Sequence, residues 1–237
     1  MAKKLLCLSD ALHQYDNPTE CPVDCGENVH CDAYMDIIER RMIEHGVEVM
    51  RPLPEGVGEQ TMYARVAEAN KRKAILYYVA HTNASGKKDA KVHRSVTLCW
   101  DDEASKAKAA VIGKYRKSLP HTVSPRTDLY EIRKTTMPCL YDELFFHDNA
   151  EDCAWFHNGG MEIMAEETVQ ALCELLEVEY VAPVDRSEDL AAENEALYNQ
   201  LAELLKQVDQ LTDENAVLKK QVTALENKIA AAKKALA

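Results

Sequence analysis

Short apolar runs alternate with amphipathic stretches along residues 1–180, and this alternation predicts an α/β fold. The apolar runs predict strands at 5–8, 47–50, 74–80, 95–100, 129–133 and 139–145. The amphipathic stretches predict helices at 28–45, 62–72, 103–117 and 161–177. Because strands and helices alternate, we expect a mostly parallel, twisted sheet flanked by helices.

A different pattern begins after Pro183, where Gly, Pro and Cys are absent and Ala, Glu, Leu, Lys, Asn and Gln dominate. Leucine recurs at every seventh position: Leu190, Leu197, Leu204, Leu211, Leu218 and Leu225. The residues four places further on are mostly aliphatic: Asn194, Leu201, Val208, Asn215, Val222, Ile229 and Leu236. Leucine at position d with aliphatic residues at position a, over successive heptads, predicts a coiled coil, and Asn at position a fixes its register.

These patterns predict three parts of the chain. Residues 1–180 form an α/β domain, 181–187 a linker, and 188–237 a long C-terminal helix that serves as a parallel coiled-coil oligomerisation segment. We expect a homodimer or a small homo-oligomer; the heptads leave dimer, trimer and tetramer open. They also leave open whether the tail is native or an added fusion.

The charge and the absence of long apolar runs exclude two classes of partner. A net charge of −12 argues against nucleic-acid binding, because a phosphate backbone favours clustered Lys and Arg. No run approaches the length of a membrane span, and the apolar start at 5–8 is too short for a signal peptide. We therefore expect synthesis in the cytoplasm, no membrane insertion, and mostly reduced thiols among the eight cysteines. Whether Cys21, Cys25 and Cys31 hold a metal stays open.

Candidate chemistry gathers where predicted strands end. His81 follows the run at 74–80, and Glu143 precedes the apolar residues Leu144 and Phe145. His13 follows the first strand, and Glu27 stands at the start of the first helix. Two His and one carboxylate, with a separate Glu to accept a proton, form a hydrolytic zinc pattern. Taken alone, the residues favour the other interpretation, because a single His at a strand end is more often a hydrogen-bonded structural residue than a metal ligand.

Two motifs resemble zinc-dependent N-acetylmuramoyl-L-alanine amidases of the amidase-3 family. Arg65-Val-Ala-Glu-Ala-Asn70, the strand that follows and His81-Thr-Asn83-Ala84 resemble the R-x-x-x-A-N and H-x-N-A signatures. Pro138-Cys-Leu-Tyr-Asp-Glu143-Leu-Phe-Phe146 resembles the P-x-x-x-x-E-x-x-F motif, and Leu129-Tyr-Glu-Ile-Arg133 the stretch before it. The loop around His13 lacks the usual D-P-G-H-G-G and is closer to the variant in clostridial and phage endolysins.

The resemblance implies a peptidoglycan hydrolase that cleaves the amide between the N-acetylmuramic acid lactyl group and L-alanine, acting on the cell wall after release. It implies Zn²⁺ held by His13, Glu27 and His81, with His30 as the alternative to Glu27. It implies Glu143 as general base, with Asn83 and Arg133 orienting the substrate or the developing oxyanion. The competing hypothesis is a non-catalytic wall-binding or scaffold protein, in which a degenerate amidase domain is dimerised by the coiled coil.

Overall fold

The computed structural model describes residues 4–11, 26–51, 62–87, 90–183 and 187–235. His13, Cys21 and Cys25, singled out above, lie outside these residues. The chain divides into two compact units, Met1–Val181 and Ala182–Ala237. What each unit does, as catalytic domain or oligomerisation segment, stays a prediction.

A mostly parallel sheet forms the centre of the first unit, as the alternating pattern predicts. Its strands within the described residues are β1 (Leu5–Asp10), β2 (Glu48–Met50), β3 (Leu76–Asn83), β4 (Ser95–Cys99), β5 (His121–Pro125) and β6 (Cys139–Phe146). They lie in the order β2-β1-β3-β6-β4-β5. Neighbouring strands are parallel except β4 and β6, which are antiparallel. The α/β class is confirmed.

Helices cover both faces of this sheet. They are α1 (Glu27–Glu44), α2 (Met62–Arg72), α3 (Glu103–Tyr115), α4 (Tyr130–Lys134), α5 (Ala150–Trp155) and α6 (Met161–Leu175), with a kink between the last two where Asn158 and Gly159 leave helical backbone geometry. Helices α1, α3 and α6 pack on the face that presents Leu8, Tyr78 and Leu140. Helices α2 and α4 pack on the face that presents Tyr77 and Tyr141. Successive strand residues point to opposite faces, so adjacent residues of β3 and β6 serve different cores.

The strand predicted at 129–133 is wrong, because these residues form most of helix α4. Leu129 and Ile132 pack against the same core, a spacing that suits one helical turn. A five-residue segment is too short for apolar periodicity to distinguish strand from helix. The sequence patterns also missed β5 and α5, which lie between the stronger apolar runs.

The second unit contains one continuous helix, α7 (Ser187–Ala235), of 49 residues. The long C-terminal helix is thereby confirmed. Its described leucines are all more than half exposed in the single chain, from 52% at Leu201 to 62% at Leu211. Among the described helices, none is both long and apolar enough to cross a membrane.

Candidate active site

The centre of the candidate site is a buried contact between the start of α1 and the end of β3. His81 Nδ1 lies 2.9 Å from Glu27 Oε1, and the Thr82 backbone N–H donates to the same oxygen at 2.9 Å. Glu27 and His81 are only 1% and 3% exposed. Glu27 is the first residue of α1, where the positive end of the helix dipole favours a carboxylate. The fold thus joins two residues separated by more than fifty positions in sequence.

The protonation of His81 is governed by this carboxylate. Burial disfavours the charged imidazolium, but the hydrogen bond and the negative charge of Glu27 outweigh burial and raise the pKa of His81. The Tyr141 ring stacks on the imidazole, with centroids 4.5 Å apart and planes 14° apart. The imidazole is therefore held on one edge by a carboxylate and on one face by an aromatic ring.

Glu143 lies beside His81, because the two are register partners on the parallel strands β3 and β6. Burial, aided by Glu27 and Asp142 and opposed by His81, raises the pKa of Glu143 to about 7. Its Oε2 atom is buried and has no hydrogen-bond partner within the described parts of the chain. A carboxylate with a pKa near neutrality and an uncommitted oxygen is suited to accept a proton.

A buried polar network lies under Glu143 on the opposite face of the sheet. Arg116 Nη2 donates to Asp142 Oδ2 at 2.7 Å, and both side chains are fully buried. Tyr78 and Thr97 donate to the same carboxylate at 2.7 and 3.0 Å. Arg116 also donates to the Met164 carbonyl of α6 at 3.0 Å. The residue preceding Glu143 is thus fixed to β3, β4 and α6, which positions the strand that carries the glutamate.

The remaining predicted site residues lie in different surroundings. His30 contacts His157, with their Nε2 atoms 3.0 Å apart, whereas Glu27 contacts His81. Asn83 ends β3, and its Oδ1 accepts from the Ala84 N–H at 2.8 Å. Of the six predicted site residues, the described structure brings Glu27, His81 and Glu143 together.

Arg133 is exposed on α4 and lines a shallow groove with Trp100, Asp102 and Met137. Cys139 also lines this groove and begins β6, whereas Glu143 lies further along the same strand. The structure therefore shows Arg133 in a groove at the start of β6, and its substrate role stays a prediction.

Two residues of the Arg65-to-Asn70 motif hold neighbouring elements together. Arg65 is 1% exposed and donates to Ser9 Oγ at 2.8 Å and to the Asp10 carbonyl at 2.7 Å, which anchors the end of β1. Asn70 donates to the Lys134 carbonyl and accepts from the Thr136 N–H, both at 2.8 Å. These contacts tie α2 to β1 and to the segment that leads into β6.

Sequence reasoning missed Tyr141, Thr82 and the pair formed by Asp142 and Arg116. A charged Asp142 within an apolar strand was an available signal, because a buried carboxylate requires partners. Its partner Arg116 follows α3, and no spacing in the sequence relates the two.

The donor chemistry of the site fits zinc as far as the described residues extend. Glu27 supplies a carboxylate oxygen and His81 an imidazole nitrogen, both donor types that zinc takes, and the two side chains are in contact. The described residues contain no group of three or more His, Cys, Asp or Glu arranged to hold a metal. A third ligand would therefore come from outside them, where His13 lies.

Comparison with known proteins finds matches among solved structures. No family model matches the chain, and no curated protein matches it. The catalytic domain of CwlV, an N-acetylmuramoyl-L-alanine amidase from Bacillus (Paenibacillus) polymyxa var. colistinus, matches with a TM-score of 0.65 and 23% identity, covering 74% of this chain and 99% of that one. The N-acetylmuramoyl-L-alanine amidase AmiC2 of Nostoc punctiforme matches with a TM-score of 0.59 and 17% identity, covering 75% and 99%.

The catalytic domain of an endolysin targeting Clostridia difficile also matches, with a TM-score of 0.56 and 15% identity, over 72% of this chain and 97% of that one. These similarities cover nearly the whole length of each neighbour, at identities that establish the fold and not the activity. The α/β unit described here therefore has the fold of N-acetylmuramoyl-L-alanine amidase catalytic domains.

Proposed function

We propose that this protein is a zinc-dependent N-acetylmuramoyl-L-alanine amidase that acts on the bacterial cell wall. The single observation that carries the proposal is the buried contact of Glu27 with His81 beside an uncommitted, desolvated Glu143. The fold shared with amidase catalytic domains, one of them from an endolysin, supports the same reaction class. The substrate is peptidoglycan, cleaved between the lactyl group of N-acetylmuramic acid and L-alanine.

In this proposal Glu27, His81 and His13 would hold the zinc ion, which would supply Lewis acidity toward the scissile carbonyl and lower the pKa of water. Glu143 accepts a proton from the attacking water and then donates it to the leaving amine of L-alanine. Tyr141 keeps the His81 ring in orientation, and the Thr82 N–H keeps the Glu27 carboxylate in place. Asn83 and Arg133 are the proposed substrate-orienting residues.

Replacing His81 with Ala should abolish most zinc binding and most activity while the domain stays folded. The substitution removes a predicted ligand at a strand end, whereas removal of a structural zinc would unfold the protein. Zinc content is measured by atomic emission, and activity by the release of new L-alanine amino termini from peptidoglycan. His93→Ala is the matched control, because its half-exposed ring pairs with Asp152 away from the Glu27 contact. Full zinc occupancy in His81→Ala would refute the ligand assignment.

The wild-type protein also distinguishes the enzyme from a non-catalytic scaffold. We expect about one zinc per chain and hydrolysis of muropeptides that stops on chelation and returns with Zn²⁺. A degenerate domain would bind the wall without releasing amino termini. Glu143 favours the enzyme, because its buried Oε2 has no hydrogen-bond partner among the described residues, a cost in stability that a binding domain has no reason to retain.

We also propose that α7 assembles the protein into a homodimer. Removing residues 186–237 should therefore give a monomer that still hydrolyses small muropeptides but is less efficient on intact walls. Two tethered sites raise the local concentration on a polymeric substrate, and truncation removes that advantage. Light scattering gives the oligomeric state, and rates on both substrates give the comparison. A truncated protein that is still a dimer would place the association surface in the first unit.

A further inference from the structure

We propose that α7 pairs with α7 of a second copy in a two-stranded, parallel, unstaggered coiled coil whose alignment is set by Asn215 and by Glu214 facing Lys219. This inference refines the homodimer proposed above and does not depend on the hydrolytic activity. The partner of α7 is a second copy of the same helix. Positions a and d form a stripe with a strict 3.5-residue repeat, and such a stripe packs against another helix with the same repeat.

The seam is the apolar stripe that positions a and d form along one side of α7. Its described members are all at least half exposed in the single chain: Leu197, Leu201, Leu204, Val208, Leu211, Leu218, Val222, Leu225 and Ile229. An exposed stripe of this length, apolar at every described a and d position from Leu197 to Ile229 except Asn215, is unfavourable in water and indicates a partner.

Asn215 determines the direction of pairing. It occupies position a between Val208 and Val222, so a partner helix buries its amide. In a parallel pair without stagger, Asn215 faces Asn215 of the second copy, and the two amides can hydrogen-bond. In an antiparallel pair position a packs in layers with position d, which would bury the amide against leucine without a partner. The parallel alignment is therefore favoured.

The charges that flank the seam give this alignment a specific signature. In a parallel pair, position g of one helix faces position e of the next heptad on the other. This places Glu214 opposite Lys219 of the second copy, an attractive pair that occurs twice by symmetry. Within its own helix Glu214 accepts from Gln210 Nε2 at 3.1 Å, which leaves its second oxygen available.

The same alignment places one repulsive pair nearer the C-terminal end of α7. Lys228 faces Lys233 of the second copy, beside Ala232 at position d, so the seam weakens toward the C-terminal end. One site pairs opposite charges and the other pairs like charges. Reversing a charge at the first site should therefore weaken the dimer, whereas reversing a charge at the second should strengthen it.

The first experiment uses charge reversal in the full-length protein and measures the dimer dissociation constant by sedimentation equilibrium. Glu214→Lys should weaken the dimer about tenfold, because it converts two attractive pairs into repulsive ones. Adding Lys219→Glu to it should restore affinity to about the wild-type value. Lys220→Glu, one residue away at the outward position f, is the matched control and should leave the dissociation constant unchanged. High salt should reduce all of these differences.

The second experiment tests the repulsive pair and the direction of the helices. Lys233→Glu should tighten the dimer about threefold, a smaller effect because the pair lies near a helix end. Leu225→Cys should cross-link under mild oxidation, because the two d positions face each other only in a parallel pair without stagger. Wild-type protein, with its native cysteines and no cysteine in α7, is the control for unrelated cross-links.

Several results would overturn the proposal. A trimeric or tetrameric mass contradicts the two-stranded state, and a monomer contradicts the surface itself. Glu214→Lys without effect, or a double variant as weak as the single one, contradicts the parallel alignment. All of these readouts concern assembly and none uses activity, so failure of the proposed hydrolysis leaves them intact and their failure leaves the hydrolysis intact.

Discussion

Glu143→Gln should reduce turnover by about 10²–10⁴-fold while zinc binding is retained. Gln has the size and hydrogen-bonding capacity of Glu but cannot accept the proton of the attacking water. The measurement is the initial rate of amide cleavage on a defined muropeptide, with zinc content determined on the same sample. Glu103→Gln is the control, because Glu103 is 96% exposed on α3 and should leave the rate unchanged.

Stability distinguishes a catalytic Glu143 from a structural one. Its desolvated carboxylate has an oxygen without a hydrogen-bond partner in the described structure, so the neutral amide should leave the free energy of unfolding unchanged or higher. A structural glutamate would behave in the opposite way, with the variant melting at a lower temperature. Near-normal turnover of Glu143→Gln would remove this residue from the proposed mechanism.

Arg116→Leu should lower the free energy of unfolding by about 3–5 kcal/mol, a large share of the stability of an ordinary domain. The substitution leaves Asp142 charged and fully buried without the guanidinium that lies 2.7 Å away. It also removes a donor from the Met164 carbonyl and from Thr168. Equilibrium unfolding in urea measures the loss. The urea concentration at the unfolding midpoint is compared between proteins whose unfolding free energy has the same dependence on urea concentration.

The control for this prediction is an ion pair of similar geometry that is exposed to solvent. Arg126 and Asp128 are 2.7 Å apart but 44% and 66% exposed, so Arg126→Leu should cost less than about 1 kcal/mol. Combining Arg116→Leu with Asp142→Leu should recover part of the loss, because no isolated charge remains in the core. Equal losses in the two single Arg variants would show that burial of the Arg116 pair has no special role.

Much of the fold could be predicted from local patterns. The continuous apolar run ending at Ala80 predicts a central strand because both faces of that strand are buried, and β3 confirms it. The heptads predict the long C-terminal helix, because an uninterrupted apolar stripe without Gly or Pro favours helix throughout, and α7 confirms it. His81 and Glu143 could be selected from sequence because each is a polar residue next to apolar strand residues and lies in a motif that resembles the amidase-3 signatures.

Local patterns failed where a segment was short or its apolar signal weak. The strand predicted at 129–133 gives way to helix α4 (Tyr130–Lys134), because Leu129 and Ile132 pack against the same core of the sheet and a segment this short has no clear periodicity of its own. Strand β5 is mostly half-exposed at one edge of the sheet, so its sequence carries little of the burial signal on which prediction depends.

The order of residues is enough to predict the α/β class, the long terminal helix and the types of residue available for chemistry. Which of these residues meet depends on tertiary packing, which pairs Glu27 with His81, His30 with His157, and Arg116 with Asp142. These contacts join positions from 26 to 127 residues apart, so they depend on how whole helices pack on the sheet. Composition and spacing are local quantities, whereas pairing of buried charges and hydrogen-bonding groups is imposed by the packed core that removes them from water.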